Sequence, residues 1–342
     1  MLKASLVVDY YLQNKMFDLD NEYINRDDCL YSSWLLKKKL NEINVDLSTC
    51  DINDPSRSKF AIYFDLPVKG VKITSDFSYL FLFESAVIKS FSWELKQHEQ
   101  FTKIFTWNDD LVDNKKYFKM NFSHKFPDNI NIYKTGILPF EDKTLCTLIS
   151  GNKVVNHKME LYSKRVKTIR WFEKNAPHDF EFYGVGWEIR VSANRYLNYF
   201  LARTPLLSKK LAVKHPSYKG MVDSKRDTLH NYKFSICYEN AQMISGYITE
   251  KVFDCFFAGC VPIYWGAPNI TEHIPENCFI DRRQFKTHEE LYLYLKNMTK
   301  EQYVDIQNNI SDYLFSDKSK PYRAETFANM IVEHVLDDLN RH

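Results

Sequence analysis

At 342 residues the chain exceeds the size at which one hydrophobic core stops growing, so two domains of roughly 150 residues each are expected. Its 46 Lys+Arg against 44 Asp+Glu leave a formal charge of only +2, far from the basic excess that a nucleic-acid backbone demands, so nucleic acid is not an expected partner. Hydrophobic residues at 44% and charged residues at 26% exclude a disordered chain.

The first third alternates strand-like and helix-like segments. Ser5–Tyr11 is a short apolar run, Leu30–Ile43 repeats apolar residues at helical spacing, and Lys59–Phe64 and Tyr79–Phe83 are strand-like again. A helical stretch after Glu84, a strand at Lys103–Trp107 and a polar segment follow, and Asp128–Lys143, rich in Asn, Asp and Pro, reads as a linker. A second block predicts a strand at Thr144–Ser150, a helix over Glu160–Asn175 and a strand at Asp179–Tyr183. Residues 189–231 are basic and aperiodic, as in a lid or an insertion, and their Lys-rich part, 203–226, is compatible with peripheral contact at a membrane surface. Tyr232–Tyr238 alternates as a strand, Val252, Phe253, Phe256 and Phe257 form the apolar face of a helix that stops at Gly259, and Val261–Gly266 is the next strand and turn. Near the end, Phe327, Met330, Ile331, Val335 and Leu339 share one helical face. Alternation of this kind predicts an α/β protein with parallel sheets. The expected domains are two Rossmann-like units, 1–140 and 141–325, followed by a helix over 326–342 that packs back on the first unit or caps its own.

No run of about 18 apolar residues occurs, and the first twenty residues lack an apolar core before a cleavage site. No transmembrane segment is therefore expected, and a cytoplasmic location is. The cysteines Cys29, Cys50, Cys146, Cys237, Cys255, Cys260 and Cys278 are scattered without metal-type spacing, which reads as reduced thiols.

Polar residues gather where open α/β sheets bind ligands, beyond the carboxyl ends of strands. Glu239 and Asn240 end the Tyr232–Tyr238 strand, and Glu250 and Lys251 open the following helix. A lysine at a helix N-terminus is electrostatically misplaced by a few tenths of a kcal/mol. An anion should compensate it, either a ligand at the exposed N–H groups or a neighbouring carboxylate such as Glu250. Glu239, Glu250, Asn240 and Tyr247 have the donors and acceptors to bind ribose hydroxyls or a purine edge.

Four blocks then carry a resemblance: Tyr238-Glu239-Asn240-Ala241-Gln242, Gly246-Tyr247-Ile248-Thr249-Glu250-Lys251, Val261-Pro262-Ile263-Tyr264-Trp265-Gly266, and Ile274-Pro275-Glu276-Asn277-Cys278-Phe279-Ile280. In order and spacing they resemble the signature of the α1,3/α1,4-fucosyltransferases, glycosyltransferase family 10, with weaker likeness over Leu148–Gly184 and at Phe83-Glu84-Ser85. The resemblance implies the GT-B fold, two Rossmann-like domains facing each other across a cleft. It further implies a GDP-sugar donor held by the second domain, inversion at the anomeric carbon, and no obligatory metal or other cofactor.

It also implies roles. Side-chain cations stabilise the departing diphosphate: Lys251, and an arginine in the helix after the Leu148 strand, taken as Arg165 with Lys164 and Arg170 as alternatives. Glu250 contacts the nucleotide, while Glu239 orients the donor sugar or braces the loop. Tyr218, in Tyr218-Lys219-Gly220, is a further donor contact, and Glu84 is the base that deprotonates the acceptor hydroxyl. The chain departs from the family pattern at Ala241, where a serine is usual, and at Ala86, where a proline commonly follows. The expected function is fucose transfer from GDP-fucose to an oligosaccharide or glycoconjugate acceptor of N-acetyllactosamine or lipopolysaccharide type. The alternatives are another GDP-sugar as donor, or a catalytically silent glycan-binding protein.

Overall fold

The computed structural model describes residues 1–67, 72–130 and 137–341. Part of the expected linker, 131–136, lies outside the described residues, as does His342 of the expected terminal helix. The chain divides into two compact units that interleave in sequence. The first comprises Met1–Phe126, Ile244–Glu250 and Asp317–His342, and the second Pro127–Met243 and Lys251–Ser316. The division thus falls at Phe126 rather than at 140, and seven residues of the signature region belong with the first unit.

The first unit holds a parallel sheet of six strands: β1 (Leu2–Val7), β2 (Val45–Thr49), β3 (Phe60–Phe64), β4 (Phe77–Leu82), β5 (Lys103–Thr106) and β6 (Tyr117–Lys119), in the order β2-β1-β3-β4-β5-β6. β3 and β4 are nearly continuous apolar runs because parallel strands are covered on both faces. Helix α1 (Tyr31–Glu42) buries Leu35, Leu36 and Leu40 on one of those faces. The stretch after Glu84 is not one helix but two short turns, Ser90–Trp93 and Leu95–His98.

The second unit repeats the plan with five parallel strands: β7 (Thr144–Ile149), β8 (Phe180–Tyr183), β9 (Tyr232–Tyr238), β10 (Val261–Trp265) and β11 (Ile280–Asp281), in the order β11-β10-β9-β7-β8. Helix α2 (Tyr162–Asn175) follows β7, and helix α3 (Glu250–Phe257) leads to β10, burying Val252, Phe253, Cys255 and Phe256. The basic stretch folds as helices Arg195–Arg203 and Pro205–Lys210.

The terminal helix α4 (Ala324–Asn340) sends Phe327, Ile331 and Val335 into the core of the first unit, where Phe327 lies 5.9 Å from Phe81. Each such burial is worth about 1.5–3 kcal/mol. A buried polar tie pins the same helix: Lys103 Nζ is 2.8 Å from Asp338 Oδ2, which also accepts the Tyr79 hydroxyl at 2.8 Å. No described helix is long and apolar enough to cross a membrane.

Candidate active site

Both sheets have the doubly wound order in which the first and third strands of the sheet lie side by side. Connections leave such a pair in opposite directions, and the parting opens a crevice beyond the carboxyl ends of those strands. In the second unit the pair is β7 and β9, and the side chains that end them are Ser150 and Glu239-Asn240.

Arg165, one turn into α2, sits over this parting and is only 5% exposed. Its guanidinium donates to Ser150 Oγ at 3.1 Å, to the Tyr238 carbonyl at 2.6 Å and to Asn240 Oδ1 at 3.0 Å. These acceptors are neutral, and they fix the planar fork. The alternatives separate clearly. Arg170 is committed to Glu173 at 2.7 Å and to the Lys214 carbonyl, and the Lys164 ammonium lies 5.6 Å over the Trp265 ring.

Lys251 lies at the mouth of α3, and its ammonium is 3.2 Å from Glu239 Oε2. A carboxylate that faces it is therefore Glu239, across the loop. Glu239 is fully buried, an environment compatible with bracing the loop. Gly266 makes room for it: a Cβ there would come within 2.5 Å of Glu239 Cγ and 2.4 Å of the Tyr264 hydroxyl oxygen. Tyr218 is tied to the β8 edge, donating to the Gly184 carbonyl at 2.7 Å and to Glu188. Burial and then the Glu188 charge raise its phenol well above the ordinary range.

Tyr247 is held by packing. It is 1% exposed and packs with the first unit, 4.5 Å from the Trp107 ring. Its neighbour Gly246 adopts φ +75°, and a Cβ there would meet the Trp107 carbonyl oxygen at 2.2 Å, so close backbone approach demands glycine. Tyr247 is thus packed within the first unit. Glu250, half-buried, is the last residue of the same excursion.

Sequence reasoning missed a cluster at the carboxyl ends of β10 and β11. Arg282 is buried, lies 5.9 Å over Trp265, and its Nε has no partner among the described residues. His288 is pushed down to about 4 by burial and then by Arg282, Lys164 and Lys167. A neutral imidazole and an indole flanked by two cations make an environment suited to an anionic or aromatic group. The detectable signal was Trp265 itself, at a strand's carboxyl end beside a glycine.

In the first unit the corresponding parting lies between β1 and β3, and it is acidic. Asp65 follows β3 in a left-handed conformation, φ +57°, and is buried. Its carboxylate accepts the backbone N–H of Phe83 at 3.0 Å and of Glu84 at 3.2 Å, which holds the end of β4. The Glu84 carbonyl in turn accepts the Trp93 indole at 2.7 Å, and Trp107 donates to the Phe83 carbonyl at 3.0 Å. Both tryptophans thus brace the backbone around half-buried Glu84. Burial raises the Asp65 carboxyl to about 6, while Lys89 and the two N–H groups pull it down. The Tyr10 phenol, on a residue 54% exposed, is raised to about 12 by partial desolvation and then by the charges of Asp65 and Glu84. Asp65 was legible by the rule that picked Glu84, an acid ending an apolar strand, but was passed over.

One Asp-X-Asp triplet is present, Asp18-Leu19-Asp20, and Asp18 spends an oxygen on the Asp20 N–H at 3.1 Å. Among the described residues no group of three or more His, Cys, Asp or Glu is placed to hold a metal ion.

Two parallel-sheet α/β units of this kind form the GT-B glycosyltransferase fold. A crystal structure of an α1,3-fucosyltransferase with GDP-fucose shares it, with a TM-score of 0.52 and 16% identity over 93% of this chain and 82% of that one. Residues 207–308 match the family model "Glycosyltransferase family 10 (fucosyltransferase) C-term". Over those residues the chain is similar to the carboxyl-terminal domain of glycosyltransferase family 10. It is similar to the α-(1,3)-fucosyltransferase FucT of Helicobacter pylori, 39% identical over 75 residues, which are 22% of this chain and 16% of that protein. An α-(1,4)-fucosyltransferase of Arabidopsis thaliana is 33% identical over 84 residues, 25% of this chain and 21% of the relative. The matched stretch thus spans about a fifth or less of these relatives' own lengths.

Proposed function

We propose that this chain is an inverting fucosyltransferase that moves L-fucose from GDP-fucose to a hydroxyl of a glycan acceptor. The observation that carries the reading is Arg165, a buried guanidinium held by neutral oxygens over the β7/β9 parting. That is the place where such sheets take nucleotides, and it lies in the unit that carries the family 10 domain.

Breaking the bond between fucose C1 and the β-phosphate oxygen leaves both electrons on the diphosphate. Preoriented cations stabilise that charge as it grows. Arg165 provides a rigid bidentate fork. Lys251 provides an ammonium, 3.2 Å from Glu239, at a helix end that favours anions. The new bond forms from the acceptor oxygen to C1 on the opposite face, and the proton of that oxygen passes to the Glu84 carboxylate. Asn240, Tyr218 and Glu250 border the donor. No metal step is required in this scheme, and the acceptor is an N-acetyllactosamine-like or lipopolysaccharide-type glycan.

The test is donor consumption measured against GDP-fucose, GDP-mannose and UDP-glucose, with GDP titrations of the wild type and Arg165→Gln. Label should leave GDP-fucose alone, and GDP affinity should fall at least about 10-fold in the variant, the loss of one charge-assisted contact. Consumption of another donor in preference, or unchanged GDP binding by Arg165→Gln, overturns the reading.

A further inference from the structure

Between Ile189 and Val222 the chain holds seven Lys and Arg residues and no Asp or Glu, in a protein whose formal charge is only +2. The same stretch carries a concentrated set of large apolar side chains in water. Tyr196 is 86% exposed, Tyr199 61%, Phe200 50% and Leu206 85%, and Leu197, Leu207, Leu211 and Val213 are exposed as well. Among the described side chains of the two short helices, Leu201 and Ser208 are the inward anchors, Ser208 by exchanging hydrogen bonds with the Arg190 backbone at 3.0 and 3.2 Å. A soluble surface rarely presents so many neighbouring apolar groups without a partner for them.

We infer that residues 196–214 form a peripheral docking surface for an anionic lipid bilayer. Aromatic and leucine side chains belong at the headgroup and acyl boundary, with basic residues reaching the phosphates around them. Here Arg190, Arg203, Lys209, Lys210 and Lys214 surround the apolar set, and none of the five forms an ion pair among the described residues. The Arg203 guanidinium stacks 3.3 Å from the Tyr199 ring centre, which keeps a cation at the level of the aromatic face.

Charge complementarity selects the occupant. In a second copy meeting this face symmetrically, the same basic patch would oppose itself. Nucleic acid would take the cations and the two tyrosines but has no use for Leu206, Leu207, Leu211 and Val213. A bilayer with anionic headgroups satisfies both sets at once.

The experiment is co-sedimentation of the whole chain with vesicles of phosphatidylcholine containing about 30 mol% phosphatidylglycerol, and with phosphatidylcholine alone. The wild type should pellet with the anionic vesicles at least about 10-fold more strongly than with neutral ones, and less at about 0.5 M salt. Lys209→Glu/Lys210→Glu should abolish the anionic preference. Tyr199→Ser/Phe200→Ser should weaken binding while keeping its salt sensitivity. All four positions are exposed, and unchanged melting temperatures confirm that the variants fold. Retention of the wild type in the supernatant overturns the inference, as does pelleting indifferent to both double variants. So does a salt-sensitive affinity for oligonucleotide or for another copy of the chain equal to that for the anionic vesicle.

Discussion

The two sheets share one strand order and differ in the charge gathered at the parting of that order. In the second unit the crevice between β7 and β9 collects Arg165, with Lys251 and buried Glu239 alongside. In the first, the ends of β1, β3 and β4 collect Tyr10, Asp65 and Glu84. Topology fixes where a crevice opens, and the few residues after each strand decide what it can hold. A cationic crevice is suited to anions and an acidic one to proton acceptance, so one strand order used twice presents two opposite charge environments.

That contrast can be broken most sharply at Glu84. Glu84→Gln removes the proton acceptor and should lower turnover by about 100-fold or more while leaving GDP affinity unchanged, since the cations lie in the other unit. Parallel loss of turnover and GDP binding, measured by steady-state kinetics and calorimetry, would put the acidic site out of the chemistry. A smaller effect is expected at Gly266. An added methyl group must displace Glu239 or Tyr264, so Gly266→Ala should cost about 1–3 kcal/mol in urea unfolding and weaken GDP binding with it, because Glu239 holds Lys251. Retained stability with full GDP affinity would show that Glu239 is not the brace.

A pH-dependent effect concerns Asp65. Its carboxyl rises from 3.8 to about 6 on folding, so the folded chain holds that proton more tightly than the unfolded one. The resulting stabilisation is full below about pH 4 and is lost as pH rises through about 6. Asn also tolerates the left-handed backbone there, so Asp65→Asn should fold. The stability of the wild type relative to the variant should fall across that window, by on the order of 3 kcal/mol at most. Parallel curves of unfolding midpoint against pH would contradict the burial of this charge.

Legibility in the sequence followed burial. Central strands β3, β4, β7, β9 and β10 are covered on both faces, leave long apolar runs, and were found close to their bounds. β2 and β6 are the edge strands of their sheet; Val45–Thr49 interleaves polar residues, β6 is three half-buried residues, and neither was anticipated. The apolar residues after Glu84 mimic a helical period, but Trp93 and Ser92 are used to anchor backbone at Glu84 and Leu66, which breaks the segment into turns. In the site, Arg165 and Lys251 were readable because a cation beside a strand end or a helix start has few structural reasons to be there. The burial of Glu239 and Tyr247 was not. Both follow from packing between segments far apart in sequence, Gly266 against Glu239 and Trp107 against Tyr247.

Interleaving has a consequence for dissecting the protein. The polypeptide passes between units at 126/127, 243/244, 250/251 and 316/317, so no single cut yields two self-sufficient halves. A fragment spanning 127–316 would carry Ile244–Glu250 without its bed, leaving Tyr247 and Ile248, each 1% exposed in the whole chain, bare to water. Chimaeras that trade nucleotide or acceptor preference among relatives must therefore exchange the 244–250 loop together with the amino-terminal segment on which it rests.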